Sequence, residues 1–389
     1  MTPRTTDPDQ YFEELPHGPR TITPVATSTT AFVGAAPSGP VNDPVLIESF
    51  AEFERIFGGL SRSSPMSYTV QQFYLNGGID ALIVRVQASG ASVTDADIVG
   101  VRSARTGIYA LEKADIFNLL CIPPLDFATD PDAATTRRAA LKYCRERRAM
   151  LIVDPPQTWI TTDDVKDNID SFLPRDRNAA IYFPRLRAPD PLQGNQPEDF
   201  VPSGAVCGVM ARTDAAHGVW KSPAGLRASV AGVTKLSYEL SDSDLIELSS
   251  LAVNCLRTVP VAGAVIWGTR TLEGTGGLAS QWKYVPVRRL ALFIEESIGR
   301  GIEWAAYEPN AESLWLQLRS SIDAFMQSLY RQGAFQGPGS DDAFFVRCDD
   351  TTTTQSDIDS GFVNILVGFA PLRPGEFVIL RFRQGTVAG

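Results

Sequence analysis

Histidine is almost missing from this 389-residue chain, which has two, His17 and His217. A Ser-His-Asp or Cys-His centre could draw only on His217, in TDAAHGVW, since His17 lies in a polar stretch rich in proline. The five cysteines, Cys121, Cys144, Cys207, Cys255 and Cys348, are widely spaced and form no C-x-x-C pair. That pattern excludes a zinc knuckle and a disulfide scaffold, and it reads as free, buried thiols. Neither H-E-x-x-H nor G-x-x-x-x-G-K-[ST] occurs, so zincin and P-loop chemistry are out. Gly274-Thr275-Gly276-Gly277-Leu278-Ala279 fits G-x-G-x-x-A formally, but SQWKYVP follows it where a dinucleotide site needs a helix, so it reads as a loop. Basic residues are outnumbered 35 to 45, for a net charge of −10, which argues against nucleic acid or an anionic membrane as partner. The longest uncharged apolar stretch, TVPVAGAVIWGT at 258–269, falls well short of the ~20 residues a membrane span needs. The first twenty residues have no apolar core like that of a secretory signal, so a cytoplasmic protein is expected. No internal repeat or low-complexity tract is present; TTTT at 351–354 reads as a loop.

What is present is 44% hydrophobic and 21% charged residues, enough for a large core spread over two to three domains of about 150 residues. Residues 1–24 contain Pro3, Pro8, Pro16, Pro19 and Pro24 without periodicity and read as an extended arm. Ordered structure is expected to begin with two short strands in TAFVGAAPSGPVNDPVLIESF. Ser49 then caps a helix bearing Phe50, Phe53 and Phe57, and Ser64-Pro65 opens another that stops at Asn76-Gly77-Gly78. The middle alternates. ALIVRV (81–86), IFNLLCI (116–122), MLIVD (150–154) and AAIYFPRL (179–186) read as strands, and 130–148 and 161–173 as helices, which indicates βαβ units. The proline-rich segment 184–204 reads as a surface loop. Two amphipathic helices follow, in VRRLALFIEESIGRG and AESLWLQLRSSIDAFMQSLYRQG, and then strands at 344–348, 362–370 and 376–383.

Candidate chemistry is sparse. Asp126 and Asp154 follow apolar strands, where open α/β sheets place active sites, so an α/β hydrolase using this pair is the alternative reading, with a turn role for Asp154-Pro155-Pro156 beside it. Glu295 and Glu296 are expected to pair along their helix with Arg288, Arg289 and Arg300. Trp267, Trp282, Trp304 and Trp315 read as packing anchors for a core or an interface. No catalytic, cofactor-binding or metal-binding residue emerges with a supporting pattern.

The two ends carry opposite charge. Residues 1–20 have a net charge of −2 and residues 373–389 of +2. Extended ends of opposite sign suit strand exchange between chains, in which each copy completes its neighbour's sheet. Such head-to-tail exchange builds rings or helical arrays.

Several segments together resemble the contractile tail sheath family of bacteriophages, R-type pyocins and related phage-like injection systems. They are TSTTAFVGAAPSGPVNDPVLIESFAEFERIFGGL, QQFYLNGGIDALIVRV, VIWGTRTL, WKYVPVRRLALFIEESIGRGIEWAAYEPN, LWLQLRSSIDAFMQSLYRQGAFQG, AFFVRCD and VGFAPLRPGEFVILRFRQ. The resemblance runs from about Thr27 to Gln384, and the middle, about 95–260, matches only in general character. It implies a mixed α+β and α/β fold: a linking arm at 1–24, a sheath core built from 25–90 plus 285–375, an inserted βαβ-type α/β domain at 91–284, and a linking strand at 376–389. It implies a non-enzymatic structural subunit that polymerises as helically stacked hexameric rings around an inner tube, with baseplate and terminal cap proteins as further partners. Neither nucleic acid nor membrane insertion is implied. Assembly would be cytoplasmic, and the particle a phage tail or a phage tail-like device released from the cell. The arm strand is expected at Gln10, Tyr11, Phe12, Glu13, Glu14 and Leu15. The tail strand is expected at Glu376, Phe377, Val378, Ile379, Leu380, Arg381, Phe382 and Arg383, donated outward. The accepting sheet would contain Phe344, Phe345, Val346, Arg347, Phe362, Val363, Ile365 and Val367. By the same resemblance Arg319, Arg331 and Gln332 face the tube. DPDQYFEEL stands where the family often opens with a PGVY-like sequence.

Overall fold

The structure is a computed structural model that describes residues 20–274, 280–372 and 377–387. In chain order the first strands are β1 (Thr30–Gly34), β2 (Val45–Ile47), β3 (Ala81–Arg85), β4 (Leu119–Cys121), β5 (Met150–Val153), β6 (Ala179–Phe183), β7 (Leu186–Asp190), β8 (Gln196–Phe200), β9 (Lys235–Leu236), β10 (Val253–Val259) and β11 (Gly263–Ile266). The helices among them are α1 (Phe50–Phe57), α2 (Pro65–Leu75), α3 (Asp95–Val99), α4 (Arg138–Glu146), α5 (Thr162–Phe172), α6 (Ser203–His217) and α7 (Asp242–Ser250).

Eight strands form one sheet in the order β11-β10-β6-β5-β4-β1-β3-β2. Every strand from β10 through β3 runs parallel to its neighbours, and β11 and β2 close the two edges antiparallel. The sequence dictates this arrangement. TAFVG, MLIV and AAIYF are buried at every position, as strands covered on both faces must be. One face carries α4, α5 and α7 over a core that includes Tyr143, Val165, Ile169, Leu245 and Leu248. The other carries α1, α2 and α6 over Phe53, Phe57, Phe73, Val206 and Met210. The result is a three-layer α/β body.

Helix α6 lies unusually close to α2. A Cβ at Gly204 would sit 2.0 Å from the carbonyl oxygen of Thr69, and one at Gly208 2.3 Å from that of Phe73. Only glycine admits backbones this near each other. All five cysteines are buried and unbridged, with Cys121 of β4 and Cys207 of α6 in contact at 3.4 Å.

The second body contains α8 (Val285–Gly301), α9 (Glu312–Arg331) and a sheet ordered β12-β13-β14, with β12 at Phe344–Arg347, β13 at Phe362–Phe369 and β14 at Val378–Gly385. Its core joins Leu290, Ile294, Leu318, Ile322 and Phe325 to Val363, Ile365, Val367 and Leu380. Trp282 is buried in it, and Trp304 and Trp315 pack against it.

Two expectations need correction. The grouping of 25–90 with 285–375 does not hold for the sheets. Strand β1 is flanked by β3 and β4, so the early strands belong to the same sheet as the middle of the chain. The run from Ile22 to Thr27 leads from the second body into this sheet and packs with α8. Segment 184–204 is not a loop either. It supplies the hairpin β7-β8, joined by β9 in a small separate sheet. Its prolines are tolerated because Pro189 stands opposite Pro197, a pair that asks neither residue for an N–H. Alternation of buried Leu186, Ala188 and Asp190 with more exposed Arg187 and Pro189 completes the pattern.

Candidate subunit-linking surface

The C-terminal sheet follows from alternation. Val363, Ile365, Val367 and Phe369 turn inward from β13, and Val378 and Leu380 from β14, while Ile379, Arg381 and Arg383 point out. The register is antiparallel, with Phe362 opposite Gly385 and Phe369 opposite Val378. The tail strand is therefore not held away from its own body. It is the third strand of its own sheet, because its buried residues have a matching apolar face there. Strand β13 is central: Phe362, Val363 and Ile365 pair with β14 alone and Val367 stands between β14 and β12, whereas Phe344, Phe345, Val346 and Arg347 lie on an outer strand. Among the described residues, no strand covers the outer edges of β12 and β14. Phe377 is part-exposed beside the ring of Phe345. Glu376 and the arm positions Gln10 to Leu15 lie outside the described residues.

An open groove runs beside β14. It is lined by Arg381, Phe382, Arg383 and Gln384 on one side and by Arg300, Glu303, Arg148 and Asp115 on the other. Most of its charges are already balanced. Arg300 bonds Glu296 at 2.7 Å and Asp115 at 2.8 Å, and Arg148 bonds Glu296 at 2.9 Å. Hydrogen bonding from Arg300 holds the Asp115 carboxyl below its ordinary range. Arg383 lies over the ring of Phe362 and 3.9 Å from Asp357. Arg381 forms no ion pair among the described residues. The expected helix pairing is found for Arg288 with Glu295 at 3.4 Å and Arg300 with Glu296, whereas Arg289 turns elsewhere.

The residues expected to face a tube divide into two places. Helix α9 buries Leu314, Leu318, Ile322, Phe325 and Leu329 and exposes Arg319, Arg331 and Gln332. Arg331 and Gln332 share its C-terminal end. Arg319 is ~18 Å away along the axis, at 1.5 Å per residue, close enough to Asp323 and Asp349 to act on their charge.

Asp126 and Asp154 do not form a pair. Asp126 accepts from the Ala128 N–H at 2.7 Å, a local turn, and borders a small apolar pocket with Tyr68, Phe127 and Phe200. Asp154 is buried and lines a different pocket. Its carboxylate accepts from the Ser203 N–H at 2.9 Å and the Ser203 hydroxyl at 2.8 Å, which ties β5 to the start of α6. Burial pushes its carboxyl up to about 7, against the hydrogen bonds from Ser203 and the charge of Arg185. A carboxyl raised in this way stabilises the fold fully below its unfolded value near 4 and loses that contribution as pH rises through about 7. The melting midpoint should therefore fall as pH rises from about 4 to about 7, a loss on the order of a few kcal/mol in all, and Asp154→Asn should flatten that decline. Calorimetry of the two proteins across this range checks it; equal slopes would contradict the assignment.

Sequence reasoning missed the buried ion pair that ties the two bodies together. Arg289 of α8 bonds Asp214 of α6 at 2.6 and 3.0 Å, Thr27 donates its hydroxyl to Asp214 at 2.7 Å, and Arg289 donates to the Thr27 carbonyl at 3.0 Å. Each partner stands far from the others in sequence, so no local pattern announces it.

Comparison with known proteins agrees with this architecture. Residues 279–385 match the phage tail sheath C-terminal domain, the part that holds α8, α9 and the C-terminal sheet. A putative prophage major tail sheath protein of Pseudomonas aeruginosa (strain UCBPP-PA14) is 27% identical over 384 residues, covering 92% of this chain and 91% of that protein. The tail sheath protein of Vibrio phage KVP40 is 27% identical over 46% of this chain, and the match spans only 26% of that longer protein. The PVC sheath complex of an extracellular contractile injection system, solved in the contracted state, superposes with a TM-score of 0.76 at 26% identity, over 98% of both chains. The parallel sheet body, the C-terminal sheet and the near-complete structural coverage agree: the chain is similar to contractile tail sheath proteins over nearly its whole length, and it carries a phage tail sheath C-terminal domain at 279–385.

Proposed function

We propose that this chain is the repeating subunit of a contractile sheath. Copies stack as hexameric rings around an inner tube, assemble from a baseplate towards a terminal cap, and contract to drive the tube through a target envelope. The subunit is not an enzyme; the work comes from a second, lower-energy packing of the same rigid parts. Assembly takes place in the cytoplasm, and the finished sheath is part of a phage tail or a released tail-like particle. The likeness to a contracted sheath over nearly the whole chain carries this reading.

Linkage between copies uses the C-terminal sheet. The arm strand at Gln10 to Leu15 of one copy adds to the open outer edge of β14 in another, by the main-chain pairing that strand addition always uses. The acidic arm meets Arg381 and Arg383 on the strand it joins. On the same reading Arg331 and Gln332, with Arg319 further along α9, approach the tube.

Purified protein should form rings or tubes in electron micrographs. Arg381→Glu with Arg383→Glu should weaken that assembly about tenfold at low salt and much less at high salt, because exposed charge pairs are screened beyond ~10 Å at 0.1 M. A soluble monomer under all conditions would overturn the sheath reading. Assembly indifferent to both charge and salt would remove the electrostatic part alone.

A further inference from the structure

The chain is acidic overall, yet one open groove contains no acidic side chain. It lies where the end of α6 meets the segment 218–228 and is lined in part by Arg212, His217, Lys221, Leu226 and Arg227. Arg212 spends its donors on carbonyls, at 2.9 Å to Ser229 and 3.2 Å to Asn76, so no carboxylate neutralises it. Lys221 and Arg227 are exposed and form no ion pair among the described residues. At the rim Leu226 is 62% exposed.

The opposite face of the eight-stranded sheet has the reverse character. Helices α5 and α7 pack side by side there, bridged by Lys166 to Glu247 at 3.0 Å. They carry Asp163, Asp164, Asp167, Asp170, Asp242, Asp244 and Glu247 against the single Lys166. Arg175 and Arg257 from nearby offset only part of this. On the outer side of α7, Ile246 is 73% exposed, next to Glu247. One body thus presents a basic groove with an apolar rim on one side and an acidic helix with an apolar knob on the other.

We propose that the occupant of the basic groove is α7 of a second copy of this chain. Glu247 and Asp242 face Lys221 and Arg227, and Ile246 covers Leu226. The two surfaces differ and lie on opposite faces of the sheet, so the contact is heterologous and propagates from copy to copy instead of closing a dimer. Charge complementarity sets its register and rejects a reversed approach, since like charges in contact are costly. This contact rests on the sheath reading but is separate from arm exchange, which uses the other body.

Crosslinking provides the test. Leu226→Cys and Ile246→Cys are placed together in the full chain, which is assembled and then oxidised with diamide. Opposite faces of one sheet keep the two thiols apart within a chain, and the five native cysteines are buried, so background is low. The expected result is a ladder of disulfide-linked multimers from the double variant and none from either single variant. Charge reversal supplies the second readout. Lys221→Glu with Arg227→Glu should raise the concentration needed for assembly about tenfold, equivalent to ~1.4 kcal/mol. Adding Asp242→Lys and Glu247→Lys to that protein should restore it. If the wild type polymerises but no ladder forms, or the exchanged charges fail to rescue, α7 is not the occupant and this inference falls while the sheath reading stands. If the wild type forms no ordered polymer, both fall.

Discussion

A chain lacking residues 1–19 is expected to fold normally and fail to polymerise. Among the described residues the first anchor of the N-terminal segment is Arg20, whose guanidinium lies 4.1 Å from the centre of the Trp304 ring and 3.6 Å from Glu308. Ile22 is buried in the C-terminal core, and the Val25 N–H donates to Ser297 at 3.2 Å. All of these anchors survive the truncation. The melting midpoint should therefore move by no more than about 2 °C, which corresponds to about 1 kcal/mol or less. Assembly should disappear, because on the proposed reading the missing strand is what one copy gives another. Sedimentation and electron microscopy check the second point, and calorimetry the first. A peptide of residues 1–19 added in solution should not restore polymer: it can occupy the open edge of β14 but connects nothing, and it has lost the high local concentration that tethering provides. Polymer of ordinary length from the truncated chain would contradict arm linkage.

The parts of this fold that were legible in the sequence are those with a local signature. Ser49 and Ser64 do cap α1 and α2, by accepting from the backbone of Glu52 and Ser67. Thr161 heads a full capping box with Asp164. The runs at 81–84, 150–153 and 179–183 are buried strands because they are apolar throughout. What stayed hidden depends on partners distant in sequence. Nothing near Thr30–Gly34 says that its neighbours will be 81–85 and 119–121. Helix α6 has almost no apolar stripe, since SGAVCGVMA is small and apolar all round; it is buried because two glycines let it press onto α2. The pattern of small residues was visible, but its meaning needed the position of α2. EFVILRFRQ looks like an unpartnered tail until Val378 and Leu380 are set against the inner face of β13. The acidic face of α5 and α7 and the basic groove opposite were equally hidden, since each gathers residues from separate stretches.

The second large effect is expected at the junction of the two bodies. Asp214→Ala should cost about 3–5 kcal/mol, the usual penalty for leaving one charge of a buried pair without its partner. The side chains of Arg289 and Asp214 are 3% and 5% exposed, so water cannot replace the missing carboxylate. For a chain of this size the melting midpoint should fall by roughly 4–6 °C. Replacing both charges, with Asp214→Leu and Arg289→Met, should recover most of the loss, because the penalty belongs to the stranded guanidinium more than to the absence of attraction. Thr27 is the third member, so Asp214→Ala should also speed amide exchange around residues 20–30, where the segment leading out to the arm is tied down. If the single and double variants melt alike, the pair is not what locks α6 to α8. If they separate as expected, the lock explains how a pull on the arm of one copy reaches the large sheet as well as the small one. Arm, α8 and α6 then move together, and a sheath that changes its packing between rigid subunits needs that connection.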